Sequence, residues 1–166
     1  MTIELLPMTR ERMHEFYRGF TFDPDTFMDL SLYERAQSQQ YDAQKVDFLF
    51  DAQSKEENRT AFAIMLHDDV IGEVELKHID ADHKTCELSI HMQNDSVKNK
   101  GYGTQAEMLA VHHAFSFLGM EHILADSILK NARSRHVLEK LGFEFLYEKN
   151  GFSHYCLEKK DWMGKG

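Results

Sequence analysis

Between residues 97 and 107 the chain reads VKNKGYGTQAE, a basic turn with two glycines that runs into a long helix-like stretch. Lys98 and Lys100 put positive charge there, in a chain whose formal net charge is −9. The first four N–H groups of a helix have no intrahelical partner, and the macrodipole adds about half a positive charge at that end. Gly101 and Gly103 lack the Cβ atoms that would hold an anion off the backbone, and Thr104 offers a hydroxyl. The turn therefore has the chemistry of a phosphate cradle. It is not a P-loop, which needs G-x-x-x-x-G-K-[ST]. Nor is it a dinucleotide fingerprint, which needs a third glycine in a parallel βαβ unit. The plainer alternative is a surface turn whose glycines serve only their φ angles.

The other groups able to do chemistry are carboxylates on strand-like runs. In VIGEVELKHI, residues 70–79, Glu73 and Glu75 alternate with Gly72, Val74 and Leu76. In TCELSIHM, residues 85–92, Glu87 and His91 alternate with Leu88, Ile90 and Met92. Period-two alternation gives each strand a buried face and a wetter one, so these carboxylates are either proton acceptors at a site or solvated strand residues. No metal site is expected. His112 and His113 are adjacent on a helix and diverge by about 100°, and His67, His78, His83 and His91 have no zinc-ligand spacing. Cys86 and Cys156, the only cysteines, read as small buried hydrophobes rather than a disulfide or a nucleophile with a paired His.

The elements that must position these groups follow from periodicity and punctuation. TIELLP reads as a first strand, and Thr9 as the N-cap of a helix through RERMHEFYRGF. Residues 20–58 form an aromatic-rich, helix-leaning insert with Asp25 and Asp42 as candidate caps. Strands at 60–67, 70–79 and 85–92, joined by short acidic turns, make an antiparallel meander. The helix after the basic turn stops at Gly119, HILADSIL is a short buried strand, and a helix runs from Asn131 to Gly142. An NG turn at 150–151 closes a final hairpin. The fold class is α/β (α+β), in the order β-α-(helical insert)-β-β-β-α-β-α-β-β.

The chain has 166 residues, 42% of them hydrophobic, which fits a single domain with a sizeable core. Its acidity argues against nucleic acid and anionic membranes as partners, since both want a basic face. It is compatible with a cationic substrate. No apolar run nears the ~20 residues of a membrane span. MTIELLPMTRER lacks the basic-then-apolar plan of a secretory signal, so a cytoplasmic location is expected.

Two segments, ELSIHMQNDSVKNKGYGT (87–104) and NARSRHVLEKLGF (131–143), resemble the GNAT superfamily of acyl-CoA-dependent N-acyltransferases. The family's [Q/R]-x-x-G-x-[G/A] pyrophosphate pattern reads here Lys98-Asn99-Lys100-Gly101-Tyr102-Gly103. Lysine takes the first position, a point charge where the family usually has glutamine or arginine. The second segment is similar to N-x-x-[A/S]-x-x-x-[Y/L]-x-K-x-G-F. The likeness covers roughly residues 60–160, with 20–58 matching only as a variable acceptor region.

The resemblance implies acetyl-CoA as cosubstrate and an amine as acceptor. Backbone groups of His91, Met92 and Gln93 would pair with the pantetheine arm as an added strand, beside a bulge that splays the fourth strand from the fifth. Lys98, Asn99, Lys100, Gly101, Tyr102, Gly103 and Thr104 would hold the pyrophosphate, with Asn131 and Ser134 on the same side. Glu87 takes the place of the general base, with Glu73 and Glu75 in reserve because strand register is uncertain by one residue. Leu138 stands where the family often has a proton-donating tyrosine. Ser134, Tyr102 or water would then supply that proton, or the chain is a non-catalytic acyl-CoA-binding module. The resemblance leans towards the branch acting on ribosomal-protein N-termini, polyamines and small amines. The insert's acids either attract a cationic amine or form a solvated face over a satellite aromatic core. FSHYCLEKKDW is a candidate edge for a homodimer.

Overall fold

The computed structural model describes residues 2–163. Strand β1 (Glu4–Pro7) leads into helix α1 (Arg10–Arg18), whose N-cap Thr9 accepts from Arg12 N as expected. The insert holds a 3-10 turn at Pro24–Thr26 and helices α2 (Leu30–Gln37) and α3 (Ala43–Ser54). Their caps are Asp23, Asp29 and Asp42. Asp25 lies inside the 3-10 turn instead, because Pro24, with its fixed φ and no N–H, takes the first helical position and moves the cap back to Asp23.

Strands β2 (Thr60–Leu66), β3 (Asp69–Asp80) and β4 (Thr85–Met92) form the expected meander. Helix α4 (Tyr102–Ser116) ends before Gly119 and passes through a turn to β5 (His122–Ile128). Helix α5 (Ala132–Leu141) begins after its cap Asn131 and stops at Gly142, whose φ is +100°. The closing hairpin pairs β6 (Glu144–Lys149) with β7 (Phe152–Glu158) across Asn150 and Gly151, both at positive φ as the NG signal requires. A short helix α6 (Lys159–Met163), not anticipated, follows.

The seven strands lie in the order β1-β2-β3-β4-β5-β7-β6, and only β4 and β5 run parallel. On one face Ile64, Val74, Leu76 and Leu88 pack with Ala106, Ala110, Val111 and Phe115 of α4 and Leu138 and Leu141 of α5. The alanine row at four-residue spacing lets α4 lie close against the sheet. On the other face Ala63, Met65 and Val70 pack with Phe16 of α1. β7 is flanked by β5 and β6, so FSHYCLEKKDW does not supply a free strand edge; β6 does, with Phe145, Leu146 and Tyr147 exposed. No helix among the described residues is long and apolar enough to cross a membrane.

Gly72 shows how tightly β3 and β4 are fitted. A Cβ there would stand 2.9 Å from His91 O and 2.9 Å from Ile64 Cδ1. The carbonyl cannot yield without disturbing the ladder. Gly72→Ala is expected to lower stability by about 1–3 kcal/mol, the usual cost of overpacking, measured by urea unfolding.

Candidate active site

The site begins where β4 and β5 part. They share only three residue pairs, Thr85↔His122, Cys86↔Ile123 and Glu87↔Leu124. Beyond these, β5 continues to Ile128 against β7 while β4 continues to Met92 against β3. The result is a fork closed at Glu87 and open at Met92. The expected bulge is absent from this stretch of β4, whose register with β3 is unbroken from Lys77↔Glu87 to Gly72↔Met92. The shift lies instead between Lys77 and Asp80.

Gln93 N donates to Ile71 O at 2.8 Å. Backbone groups in an antiparallel ladder alternate in direction, so His91 and Gln93 turn theirs towards β3. Ile90 and Met92 turn theirs into the fork. Of the three residues expected to meet an added strand, Met92 keeps a free backbone. Gln93 is committed elsewhere: its carbonyl accepts from Thr21 N at 2.9 Å, and its Nε2 donates to Glu15 O at 3.0 Å and Phe16 O at 2.9 Å. It staples the loop after β4 to the end of α1, because a side-chain amide can cap carbonyls that the helix leaves unpaired.

A cleft of about 870 Å³ runs through the fork. Ile90 and Met92 line it from the α4 face, and Glu73 and His91 from the α1 face. Lys98, Asn99, Gly101, Gly103 and Thr104 line its mouth, and Asn131 and Ser134 line its α5 side. Asn99 and Gly101 have φ of +61° and +83°, and Gly101 gives α4 no side-chain cap. The N–H groups of the helix's first turn are thus left for a ligand.

Lys100 and Tyr102 do not join the lining. Lys100 is exposed at the rim, and Tyr102 is turned into the main core by the helical phase of α4. The Lys98 side chain is only 11% exposed, and its ammonium sits 3.2 Å from both Asp23 and Asp95 carboxylates. Asp23 also lies 3.9 Å from Arg133. Burial works against ionisation of Asp23, but the Asp25 amide and Lys98 outweigh it and hold its carboxyl below the ordinary range.

Glu73 is a buried carboxyl lining the cleft. It is 5% exposed, its Oε2 has no hydrogen-bond partner among the described residues, and its Oε1 is 3.9 Å from His91 Nδ1. Burial, then the charge of neighbouring Glu75, pushes its pKa up to about 7, against the opposing pull of Arg59. Glu75 is itself paired with Arg59. Tyr17 of α1 lines the same wall, its phenol pushed up by burial and by Glu73 and Glu75.

Glu87 is elsewhere. It shares the face of His91 but lies four residues back along β4, about 13 Å away at strand rise. There it pairs in register with Lys77, its carboxylate 3.6 Å from His78 Nε2 and 28% exposed, at the closed end of the fork. It does not line the cleft. Leu138 is buried in the main core, and Cys86 is a core residue whose thiol is pushed up to about 12, chiefly by burial. No cluster of three or more metal-ligating side chains is found among the described residues.

The insert closes the α1 side. Phe16, Phe20, Phe22, Phe27 and Tyr33 pack in succession in tilted and edge-to-face contacts with centroid separations of 5.2, 4.9, 5.6 and 5.8 Å, and the first four also line the cleft. Most insert acids are spoken for: Asp29 and Asp42 cap helices, and Asp47 pairs with Arg10 and His14. Only Asp23 reaches the cleft. Sequence reasoning did not single out Tyr17, Arg133 or Glu107 for the site. For Glu107 a signal existed, a carboxylate on the otherwise apolar buried face of α4.

A domain profile described as acetyltransferase (GNAT) domain matches residues 2–144. The chain therefore belongs to the GNAT acetyltransferases, a family of acyl-transferring enzymes. Among solved structures it is similar to a chimera of the spermidine N-acetyltransferase of Vibrio cholerae and hSSAT, with a TM-score of 0.80 and 16% identity over 98% of this chain and 99% of that one. It is also similar to the Vibrio cholerae spermidine N-acetyltransferase in complex with CoA and spermine, with a TM-score of 0.76 and 16% identity over 97% and 98%. A dodecameric structure of the same enzyme matches with a TM-score of 0.73 and 16% identity over 99% and 98%. At these identities the likeness is one of fold. No curated protein matches the sequence.

Because Arg59 is the charge that opposes the rise at Glu73 among the described residues, Arg59→Met should move the Glu73 titration above about 7. Carboxyl-carbon NMR of the variant reads this directly.

Proposed function

We propose that this chain transfers an acetyl group from acetyl-CoA to a primary amine by direct attack in a ternary complex. The observation that carries the reading is a single cleft joining two kinds of group through the fork. On one side are the free amides of α4 with Lys98, and on the other is the carboxyl of Glu73, whose Oε2 has no hydrogen-bond partner among the described residues. A diphosphate fits the first-turn amides, Lys98 and Asn99. Ile90 and Met92 offer the backbone pairing an amide-bearing arm would use, and Asn131 and Ser134 border the same path.

Glu73 is the base in this reading. An alkylamine has a pKa near 10.4 in water and must lose a proton to attack. With the ammonium proton lost to solvent, a carboxyl poised near the working pH efficiently accepts the proton that the neutral amine sheds as the amide forms. Glu87, at the closed end of the fork, has no route to the amine.

The acceptor is a small amine, a polyamine or a protein N-terminus, and the Glu73 carboxyl in the cleft favours a cationic one. Spermine in the complex of a structural neighbour is consistent with that class. The exposed edge of β6 is the surface for the expected homodimer, to be tested by sedimentation. A second reading, an acyl-CoA-binding module, is favoured by one observation: Leu138 is buried and brings no proton donor to the cleft.

Thiol release from acetyl-CoA, followed over a panel of amines, separates the two. Release that rises with one amine supports the enzyme, whereas tight CoA binding without release for any amine supports the module. Glu73→Gln should lower turnover by about 10²–10⁴-fold and abolish the rise in rate through about pH 7, since only the ionised carboxylate can take the proton. Calorimetric affinity for CoA should be retained. An unchanged pH–rate profile in this variant would remove Glu73 from the mechanism.

A further inference from the structure

Glu107 is a second buried carboxyl on the cleft. It is 6% exposed, on the inner face of α4, and lines the same cavity as Ile90, Met92, Ser134 and Val137. Burial alone acts on its carboxyl, raising its pKa to about 8, with no charged or hydrogen-bonding neighbour contributing. A charged residue is rarely placed so without a partner. The groups facing the cleft around it are Arg133, His136 and Lys140 of α5, Glu73 and His91 from the sheet's other side, and Lys98 and Asp23 at the mouth.

Its position along α4 is the informative part. A Cβ on Gly103 would stand 3.8 Å from Met92 Sδ and 3.9 Å from Ile90 Cδ1, so this face of α4 looks onto the open arm of β4. Glu107 lies one turn on, on the same face and about 6 Å deeper. Because α4 returns antiparallel to β4, deeper means towards the closed end of the fork. Glu107 therefore lies past the diphosphate cradle, on the α4 side of the sheet, with Glu73 on the α1 side.

We propose that Glu107 is the general acid that protonates the departing CoA thiolate. This rests on the acetyl-transfer reading above and adds a residue to it. As the amine nitrogen forms its bond to the acetyl carbon, its proton passes to the Glu73 carboxylate. As the carbon–sulfur bond breaks, the sulfur takes the Glu107 proton. Glu73 ends protonated and Glu107 ionised, and exchange with solvent restores both. The two carboxyls divide the work because they flank the fork from opposite faces: the amine enters on one and the thiol leaves on the other. Leu138, apolar and buried, and Tyr102, turned into the core, do not fill the role, and the Ser134 hydroxyl, with an ordinary pKa far above that of a carboxyl, is a weaker acid than Glu107.

The test is the pH dependence of kcat with acetyl-CoA and an accepted amine, both saturating. The wild type should rise through about pH 7 and fall above about pH 8. Glu107→Gln keeps the shape of the side chain but holds no transferable proton. It should lose at least about tenfold in kcat, lose the alkaline fall, and keep CoA affinity within twofold by calorimetry. Glu107→Asp should restore part of the rate and the alkaline limb. An alkaline fall that persists in Glu107→Gln with undiminished kcat would overturn the proposal, as would a loss explained wholly by weakened CoA binding. Failure of the acetyl-transfer reading looks different: the wild type itself would release no thiol with any amine.

Discussion

Everything at this site depends on β4 being able to pair with β5 over three residues and no more. A strand inside a sheet that loses its neighbour partway leaves N–H and C=O groups with no partner, and such groups are costly when buried away from water. The chain does not fill the gap. It leaves the backbone of Ile90 and Met92 facing a cleft, where an extended ligand can complete the ladder as a short added strand. The fork also decides what shares the cleft, since an opening between two strands connects both faces of the sheet.

The loop after β4 holds the fork open. Gln93 and Asn94 bond to carbonyls near the end of α1, Nδ2 of Asn94 reaching Gly19 O at 3.0 Å. The loop then turns through left-handed Asn99 and Gly101 into α4. One short segment thereby fixes the end of α1, the direction of the fork and the exposed first turn of α4. Asp23 ties the insert to the same place through Lys98, so the insert wall and the turn into α4 share one ion pair. In the proposed reading, a diphosphate would meet a lysine already partnered by a carboxylate and would have to replace that contact.

The electrostatics work by division. Glu73 and Glu75 are two residues apart on a buried face and would repel if both were ionised. Arg59 takes up Glu75, and Glu73 is left to titrate near neutrality. Glu107, across the sheet, is shielded by burial alone and stays protonated at neutral pH. Carboxyls of one chemical type thus come to hold different protonation states because their neighbours differ, the pattern that acid–base sites use. Asp29, Asp42 and Asp47 on the insert serve helix caps and exposed ion pairs, which contribute little to the site.

What the sequence by itself determined is local and periodic. Alternation identified which residues of β3 and β4 share a face, the NG pair set the closing hairpin, and Thr9, Asp42 and Asn131 capped their helices. Lys98-Asn99-Lys100-Gly101-Tyr102-Gly103 marked the turn into α4. Two-residue periodicity assigns a face but not a position along it. Glu87 and His91 are equivalent by that rule, yet only His91 lies above the fork, and where β4 leaves β5 is decided by pairing between segments far apart in sequence. Tyr102 and Glu107 differ in the same way. Helical spacing puts both on inward faces of α4, but only packing against β4 and α5 turns one into the core and the other into the cleft. Tertiary structure therefore put Glu73 in the cleft and left Glu87 out of it, because burial and the distance between strands are properties no single stretch of chain carries.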